Sequence, residues 1–322
     1  MSPLIELLPQ VARGRVWQIE DMLLQLAGKD APKAKYGKSK DSLESYRNSW
    51  KKWWTEKRSA TDLAKFNYAP RTDGTLLIVE MNSQGYGMGN VTLYSPNLKE
   101  KVKFLNLAQP MDAVSLPGNR IAVAEQNSSR VTIRNYMNDV LHSIDGINQP
   151  MNLQLLASGK IFVIQRNGAA EYDLEGKKGW SYDRAGNNYD VDGARQFPNG
   201  ECIFFVHGDQ KNNCVRVGRD CKEIGKPFPL GQIYYQPALE VISNDEFYMT
   251  DYNKISKYSI KDKKANWTHN VSGVTCLQQL PNGNLLYVLS NQNKVVEITP
   301  EKEEVWEHQF TSGMRLMKAY RR

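Results

Sequence analysis

The sequence predicts a mainly β fold: a six-bladed β-propeller of four-stranded blades, with a small α-helical module ahead of it. Three observations carry this. Turn pairs at Asp73-Gly74, Gly118-Asn119, Ser158-Gly159, Asn199-Gly200, Asn244-Asp245 and Asn282-Gly283 each precede a short apolar run. The anchors Leu116, Leu156, Phe197, Ile242 and Leu280 recur at spacings of 40, 41, 45 and 38 residues. Helical stripes are confined to the first 60 or so residues, which rules out stacked helix pairs as the source of that period.

The helices come first. Ser2-Pro3 is a start signal, a capping side chain before a proline whose missing N–H costs nothing in the first turn, and Leu4, Leu7, Leu8 and Val11 follow at helical spacing. A second stripe of Val16, Ile19, Leu23 and Leu26 runs to Gly28. Asp41-Ser-Leu-Glu44 resembles a capping box, and Leu43, Tyr46, Trp50 and Trp53 fall on one face behind it, widened by Trp54. Three helices bury little by themselves, so the tryptophan face is expected to pack against a blade near the point of closure. The expected division is a helical module over 1–62 and the propeller over 63–322.

The six second strands are expected at Leu76 to Glu80, Ile121 to Glu125, Ile161 to Gln165, Cys202 to Val206, Phe247 to Asp251 and Leu285 to Leu289. The last unit displays all four strands, from Thr275-Cys-Leu-Gln-Gln-Leu280 to Glu304-Val-Trp-Glu-His308. An open propeller would leave bare edges. Met314 to Tyr320 is an innermost strand with no partner after it, and the unit starting near residue 74 lacks one, so the C-terminal strand should complete that blade.

Composition narrows the function classes. The 322 residues carry 42 Lys+Arg against 35 Asp+Glu, a net +7. Residues 1–67 hold 9 Lys and 4 Arg against 8 acids, so +5 of the charge sits there and only +2 on the remaining 255 residues. The lysines from Lys29 to Lys40 lie in a connector without interleaved aromatics, so no nucleic-acid partner is expected. No 18-residue apolar run suggests a membrane span, and no secretory signal opens the chain, which makes it cytoplasmic if Met1 is the true start. Four cysteines without a C-x-x-C pair fit neither a disulfide scaffold nor a zinc site. Cys202 and Cys214 are symmetric about Gly208, a spacing that allows them to face each other across one hairpin, and they are expected as free thiols.

The repeat core LPNGNLLYV…KVVEI…EEVWEH resembles the propeller superfamily that includes quinoprotein-like, NHL-like and arylsulfotransferase-like blades. The stretches RVWQIEDMLLQLAGKDAP and SYRNSWKKWWTEKRSATDLAKF resemble the junction in planctomycete-type bacterial proteins where HEAT-like helical repeats run into such a propeller. The resemblance implies a fold and a scaffold-like habit rather than a reaction.

In a propeller, the loops leading into the innermost strands and those joining second to third strands share one face around the channel. That face gathers Asp112, Asn152 and Asp192 from the first set. Glu125, Gln126, Asn127, Gln165, Arg166, His207, Asp209, Asp251, Asn253 and Asn291 come from the second. Of these, Asp112, Asn152, Asp192, Glu125, Gln165, His207 and Asp251 are the candidate ligand-binding residues, for a protein or a small polar ligand. Asn188-Tyr-Asp190-Val-Asp192-Gly193 matches the first half of a calcium loop, but position 12 is Asn199 rather than Glu, so calcium is weighed and no cofactor is expected. His142, His269 and His308 fall on outermost strands, where they cannot converge on one substrate, and no G-x-S-x-G, H-E-x-x-H or P-loop occurs. The reading is therefore a non-enzymatic binding or scaffolding protein. The alternative is a lyase, sulfotransferase-like or lactonase-like enzyme using His207 with Asp192 or Asp251.

Overall fold

The computed structural model describes residues 2–11, 16–27, 30–34, 40–61, 74–82, 87–184, 191–206, 213–229 and 237–321. Its strands form six antiparallel four-stranded sheets. Taken from the channel outward, blade 1 is Arg315–Arg321, Leu76–Met81, Met88–Tyr94 and Glu100–Ala108. Blade 2 is Pro110–Leu116, Arg120–Glu125, Arg130–Asn135 and Val140–Asp145. Blade 3 is Asn152–Leu155, Ile161–Gln165, Gly168–Tyr172 and Lys178–Asp183. Blade 4 is Val191–Gln196, Cys202–Val206, Asn213–Val217 and Phe228–Pro229. Blade 5 is Leu239–Val241, Glu246–Thr250, Lys254–Ser259 and Lys264–Asn270. Blade 6 is Val274–Gln279, Leu285–Leu289, Lys294–Ile298 and Glu304–Gln309.

Blade 1 is built from both ends of the described β region: Arg315–Arg321 runs antiparallel to Leu76–Met81, with Leu77 opposite Tyr320 and Ile78 opposite Ala319. The ring therefore closes by hydrogen bonding, and no inner edge is left bare.

The second strands read as unbroken apolar runs because both of their faces are covered, each by a neighbouring blade. Leu77 and Val79 point into the cluster between blades 1 and 2, while Leu76 and Ile78 point into the cluster between blades 6 and 1. The same alternation sends Ile203 and Phe205 to the blade 4/5 seam and Cys202 and Phe204 to the blade 3/4 seam. Six apolar seams result, one per pair of blades, in place of a single central core. The turns obey the expected chemistry. In the three-residue turn 117–119, across which Leu116 pairs with Arg120, Gly118 and Asn119 adopt positive φ, 76° and 56°, a conformation that glycine and asparagine enter most readily.

Three helices precede the propeller, α1 (Ser2–Leu7), α2 (Val16–Ala27) and α3 (Lys40–Lys57). The first is shorter than its stripe suggests, since residues 8–10 are turn. The expectation for the tryptophan face is corrected here. Trp50 and Trp53 are buried against Ile5, Leu8, Ile19, Leu23, Leu43 and Tyr46, and among the described residues none from the propeller belongs to that cluster. Edge-on packing among Tyr46, Trp50 and Trp53, with ring centroids 6.2 and 5.5 Å apart, fills the centre of the module. Ion pairs of Glu6 with Arg47 and Lys51, and of Asp30 with Lys57, also stay within it. The expected boundary near residue 62 lies outside the described residues.

The cysteine register is corrected too. Cys202 lies opposite Val217 and Cys214 opposite Phe205, so the hairpin is centred one and a half residues beyond Gly208 and the two thiols do not face each other. All four cysteines are free.

Candidate functional site

The face proposed for ligand binding is the one that carries the second-to-third strand loops and the connections between blades. Its loops are tied down by a repeated bond: the carbonyl of a loop residue accepts the backbone N–H at the end of the blade's outer strand. Ser129 does this with Ile147, Asn167 with Arg184, Asn253 with Val271 and Asn293 with Phe310. In blades 2 and 6 the loop is a 3-10 turn closed by a left-handed residue, Ser129 (φ 49°) or Asn293 (φ 50°). The Asn293 side chain also receives Leu316 N–H at 2.8 Å and donates to the Met314 carbonyl at 2.9 Å, pinning the closing strand.

The residues singled out from sequence fall into three groups. Glu125 and Gln165 close the second strands of blades 2 and 3 and are buried. Glu125 points into the blade 1/2 seam. There it accepts hydrogen bonds from Thr132 Oγ1 (2.6 Å), Arg130 (3.1 Å), Arg134 (3.1 Å) and Ala108 N–H (3.3 Å). Burial pushes its carboxyl up, but those donors outweigh burial and hold it below the usual carboxylate range. Gln165 donates to Asp183 at 3.2 Å. Asp251 caps its own loop, accepting Asn253 and Lys254 N–H at 3.0 and 3.1 Å and pairing with Lys254. These three side chains hold the scaffold and do not converge.

Asp112, Asn152 and Asp192 do line the channel end of their strands, but not as equivalents. The inner strands of blades 2, 4 and 6 each carry an extra residue near the start, where the register shifts between Pro110 and Asp112, Val191 and Gly193, and Val274 and Cys276. Asp112 lies opposite Ala124 and Asn152 opposite Ile164, whereas the matching position in blade 4, opposite Phe205, is Gly193, and Asp192 sits in the bulge itself. Asp112 is fully buried. Its Oδ2 accepts Leu153 N–H from blade 3 at 2.9 Å, and its Oδ1 accepts the Tyr320 hydroxyl from blade 1 at 2.8 Å. One carboxylate thus binds three inner strands together. Burial, reinforced by the Asp112 charge, pushes the Tyr320 phenol well above its ordinary value, so it stays a donor.

His207 and Asp209, with Asn188 and Asp190 of the calcium-like loop, lie outside the described residues. The strand Val191–Gln196 runs through the second half of that loop, which puts Asp192 and Asn199 at opposite ends of extended chain, where they cannot share one ion. Asn199 instead caps its own turn, accepting Glu201 N–H. Among the described residues no three His, Cys, Asp or Glu side chains gather as a metal-binding group. His142, His269 and His308 stand on outer strands, the last two stacked on Trp267 and Trp306 at 6.2 and 6.3 Å.

A ring that was not anticipated crosses the channel lower down. Val114, Gln154, Arg195, Glu240, Gln278 and Tyr320 occupy one register position, opposite Ala122, Phe162, Ile203, Tyr248, Leu286 and Leu77. The signal was available: five of the six lie two residues before the anchors that set the repeat. Lys318, donating to the Thr275 carbonyl at 2.8 Å, fills the space above. The cavity left among Asn152, Arg195, Cys276, Lys318 and Tyr320 is small, about 10 Å³, room for little more than one water molecule. Among the described residues, the exposed ones on the loop face are mostly neutral: Asn127, Ser128, Asn148, Tyr252, Asn253, Asn291 and Gln292.

No helix among the described residues is long and apolar enough to cross a membrane. No family model and no curated protein matches the chain. Solved structures do resemble it. A protein of unknown function from Bacteroides caccae superposes with a TM-score of 0.62 at 11% identity, over 77% of this chain and 98% of that one. A nidogen/laminin complex gives 0.57 at 12% identity, over 76% and 97%. A streptogramin B lyase gives 0.53 at 13%, over 76% and 86%. At such identities, what these structures share with this chain is the six-bladed propeller fold.

Proposed function

We propose that the chain is a non-enzymatic binding or scaffolding protein whose loop face receives a protein or a small polar ligand. The observation that carries this reading is the state of the channel. At the level of Arg195, Lys318 and Tyr320 the described inner-strand residues leave room for little more than a water, and the buried carboxylates Asp112 and Glu125 are engaged in holding blades together. A partner then has the rim, where Tyr252 is 60% exposed among amide and hydroxyl side chains. A large aromatic ring beside adaptable amides is the composition of a contact surface rather than of a solvent-only loop. The helical module, which resembles HEAT-like arrays in sequence, supplies a second surface in this reading.

The test is capture by the immobilised full chain from a metabolite extract and from a soluble lysate, read by mass spectrometry beside a Tyr252→Ala/Asn291→Ala variant. The expected result is a species retained by the parent and reduced about tenfold in the variant, a loss of ~1.4 kcal/mol, at an unchanged melting temperature. Consumption of a metabolite instead of its retention, abolished by His207→Ala, would replace this reading with the lyase, sulfotransferase-like or lactonase-like alternative.

A further inference from the structure

Two of the six junctions between inner strands are closed by the same device. Gln154 of blade 3 donates its amide to the Gln196 carbonyl at 2.9 Å and accepts the Gln196 N–H at 2.8 Å. Gln278 of blade 6 does the same to Arg321 of blade 1, at 2.8 and 2.7 Å. Each glutamine clamps both polar groups of the last inner-strand residue in the next blade. Blade 5 has Glu240 at this register position, and its target is Gln279, again the last residue of the next inner strand. Glu240 Oε1 accepts the Gln279 N–H at 3.2 Å, as the glutamine oxygen does elsewhere. The second half of the clamp needs a donor toward the Gln279 carbonyl. A carboxylate has none, and two oxygens would face each other, whereas a neutral carboxylic acid carries an O–H in the place of the glutamine N–H.

We propose that Glu240 is a proton-operated latch between blades 5 and 6. As the neutral acid it reproduces the glutamine clamp on Gln279, and when its proton passes to solvent it loosens that backbone and turns toward the Arg195 guanidinium. Arg195 is placed to receive it: it precedes Glu240 in the same ring, on the inner strand of blade 4, and its hydrogen bond runs to the Ala194 carbonyl at 3.1 Å. Burial pushes the Glu240 carboxyl up, against the opposing pull of Arg195 and of the Gln279 N–H, to about 7. The latch therefore works around neutral pH.

The other titratable groups near the junction stay neutral or are engaged elsewhere. Tyr248, cross-strand from Glu240, has a phenol raised by burial and by Glu246. On blade 6, Cys276 donates to the Ala319 carbonyl at 3.4 Å. On blade 1, Lys318 is bound to the Thr275 carbonyl and Tyr320 to Asp112. Arg195 is the charged group that bears on Glu240.

The sign follows from linkage. An acid whose folded pKa lies above its unfolded one binds its proton more tightly in the folded state, so stability is full below about pH 4.5 and is lost as pH rises through about 7. The experiment is urea unfolding of the full chain from pH 5.5 to 8.5, comparing the parent with Glu240→Gln. The unfolding constant of the parent should rise about tenfold or more relative to Glu240→Gln across that window, because glutamine keeps the clamp at every pH. Gln278→Glu should gain a second step of the same sign. Carbon-13 NMR of the Glu240 carboxyl should titrate near neutrality. Parallel unfolding of parent and Glu240→Gln over the whole window, or a carboxyl that titrates in the ordinary range near pH 4, overturns the latch, whether or not Gln278→Glu folds.

Discussion

Two seams of the propeller use one buried glutamate each, at the same position of the third strand, and differ in how they supply its partner. Glu171 in blade 3 lies opposite Phe162, and Glu297 in blade 6 lies opposite Leu286, so both face the inner strand of the following blade. Both carboxylates are almost wholly buried. Across the closing seam, Glu297 pairs with Arg321, the last residue of the inner strand of blade 1, and also accepts Asn284 Nδ2 at 2.6 Å. Across the blade 3/4 seam the matching inner-strand residue is Gln196, which donates to Glu171 at 2.9 Å, and the cation comes from elsewhere, as Arg219 from the far turn of blade 4. In each seam the guanidinium also lies over an outer-strand tryptophan, Arg321 at 4.3 Å from the Trp306 ring and Arg219 at 5.6 Å from the Trp180 ring. The Arg321 side chain is 5% exposed and Arg219 47%. The geometry repeats while the dielectric does not: the closing seam is held by a dry pair built into the strands, and the internal seam by a wet one lent by a loop.

That difference sets the order of the expected effects. Glu297→Ala leaves the Arg321 guanidinium buried without its counter-charge, and should cost about 3–5 kcal/mol in chemical denaturation. Glu297→Leu combined with Arg321→Met should recover most of that loss, because a well-packed apolar pair removes the stranded charge. Glu171→Ala should cost only about 1–2 kcal/mol, since Arg219 can return to water and the main loss is hydrogen bonding to Gln196 and Lys160. Equal costs for the two alanine variants would break the comparison and mean that the closing seam draws no special strength from its dryness.

The architecture was legible in the sequence because a propeller writes itself twice, in the 38–45-residue spacing of its anchors and in turn pairs that permit positive φ. Closure was legible for the same reason, as a missing strand at one end and a surplus strand at the other. The candidate site was less so. Polar residues at strand ends suggest a ligand-facing rim, yet Glu125 and Gln165 point sideways into seams, because residues of a blade alternate between its two neighbours and not between core and solvent. Asp192 was displaced by an inserted bulge residue, which no count of spacings reveals. The ring containing Gln154, Glu240 and Gln278 went unread although its register was fixed by the anchors, because amides and acids inside a strand look like exposed alternation. Size alone points the tryptophan helix toward a blade, whereas among the described residues the module closes on its own aromatic core.

The smallest expected effect tests the wetter seam by titration. Burial pushes the Glu171 carboxyl up, but the donors from Arg219, Gln196 and Lys160 outweigh it and hold the group below its ordinary value. A carboxylate depressed in the folded state contributes stability that is present above its unfolded pKa and is lost as pH falls through the folded one. The relevant window is therefore below about pH 4.5, opposite in direction to that of Glu240. Glu171→Gln cannot titrate, so its unfolding free energy should fall less steeply with acid than that of the parent. Because Arg219 is half exposed, the difference should shrink further in 0.5 M salt. An acid limb unchanged by the substitution would mean that the folded chain does not hold the Glu171 carboxyl below its ordinary value, and a difference insensitive to salt would mean that the Gln196 amide, rather than the half-exposed Arg219 and Lys160, does the holding.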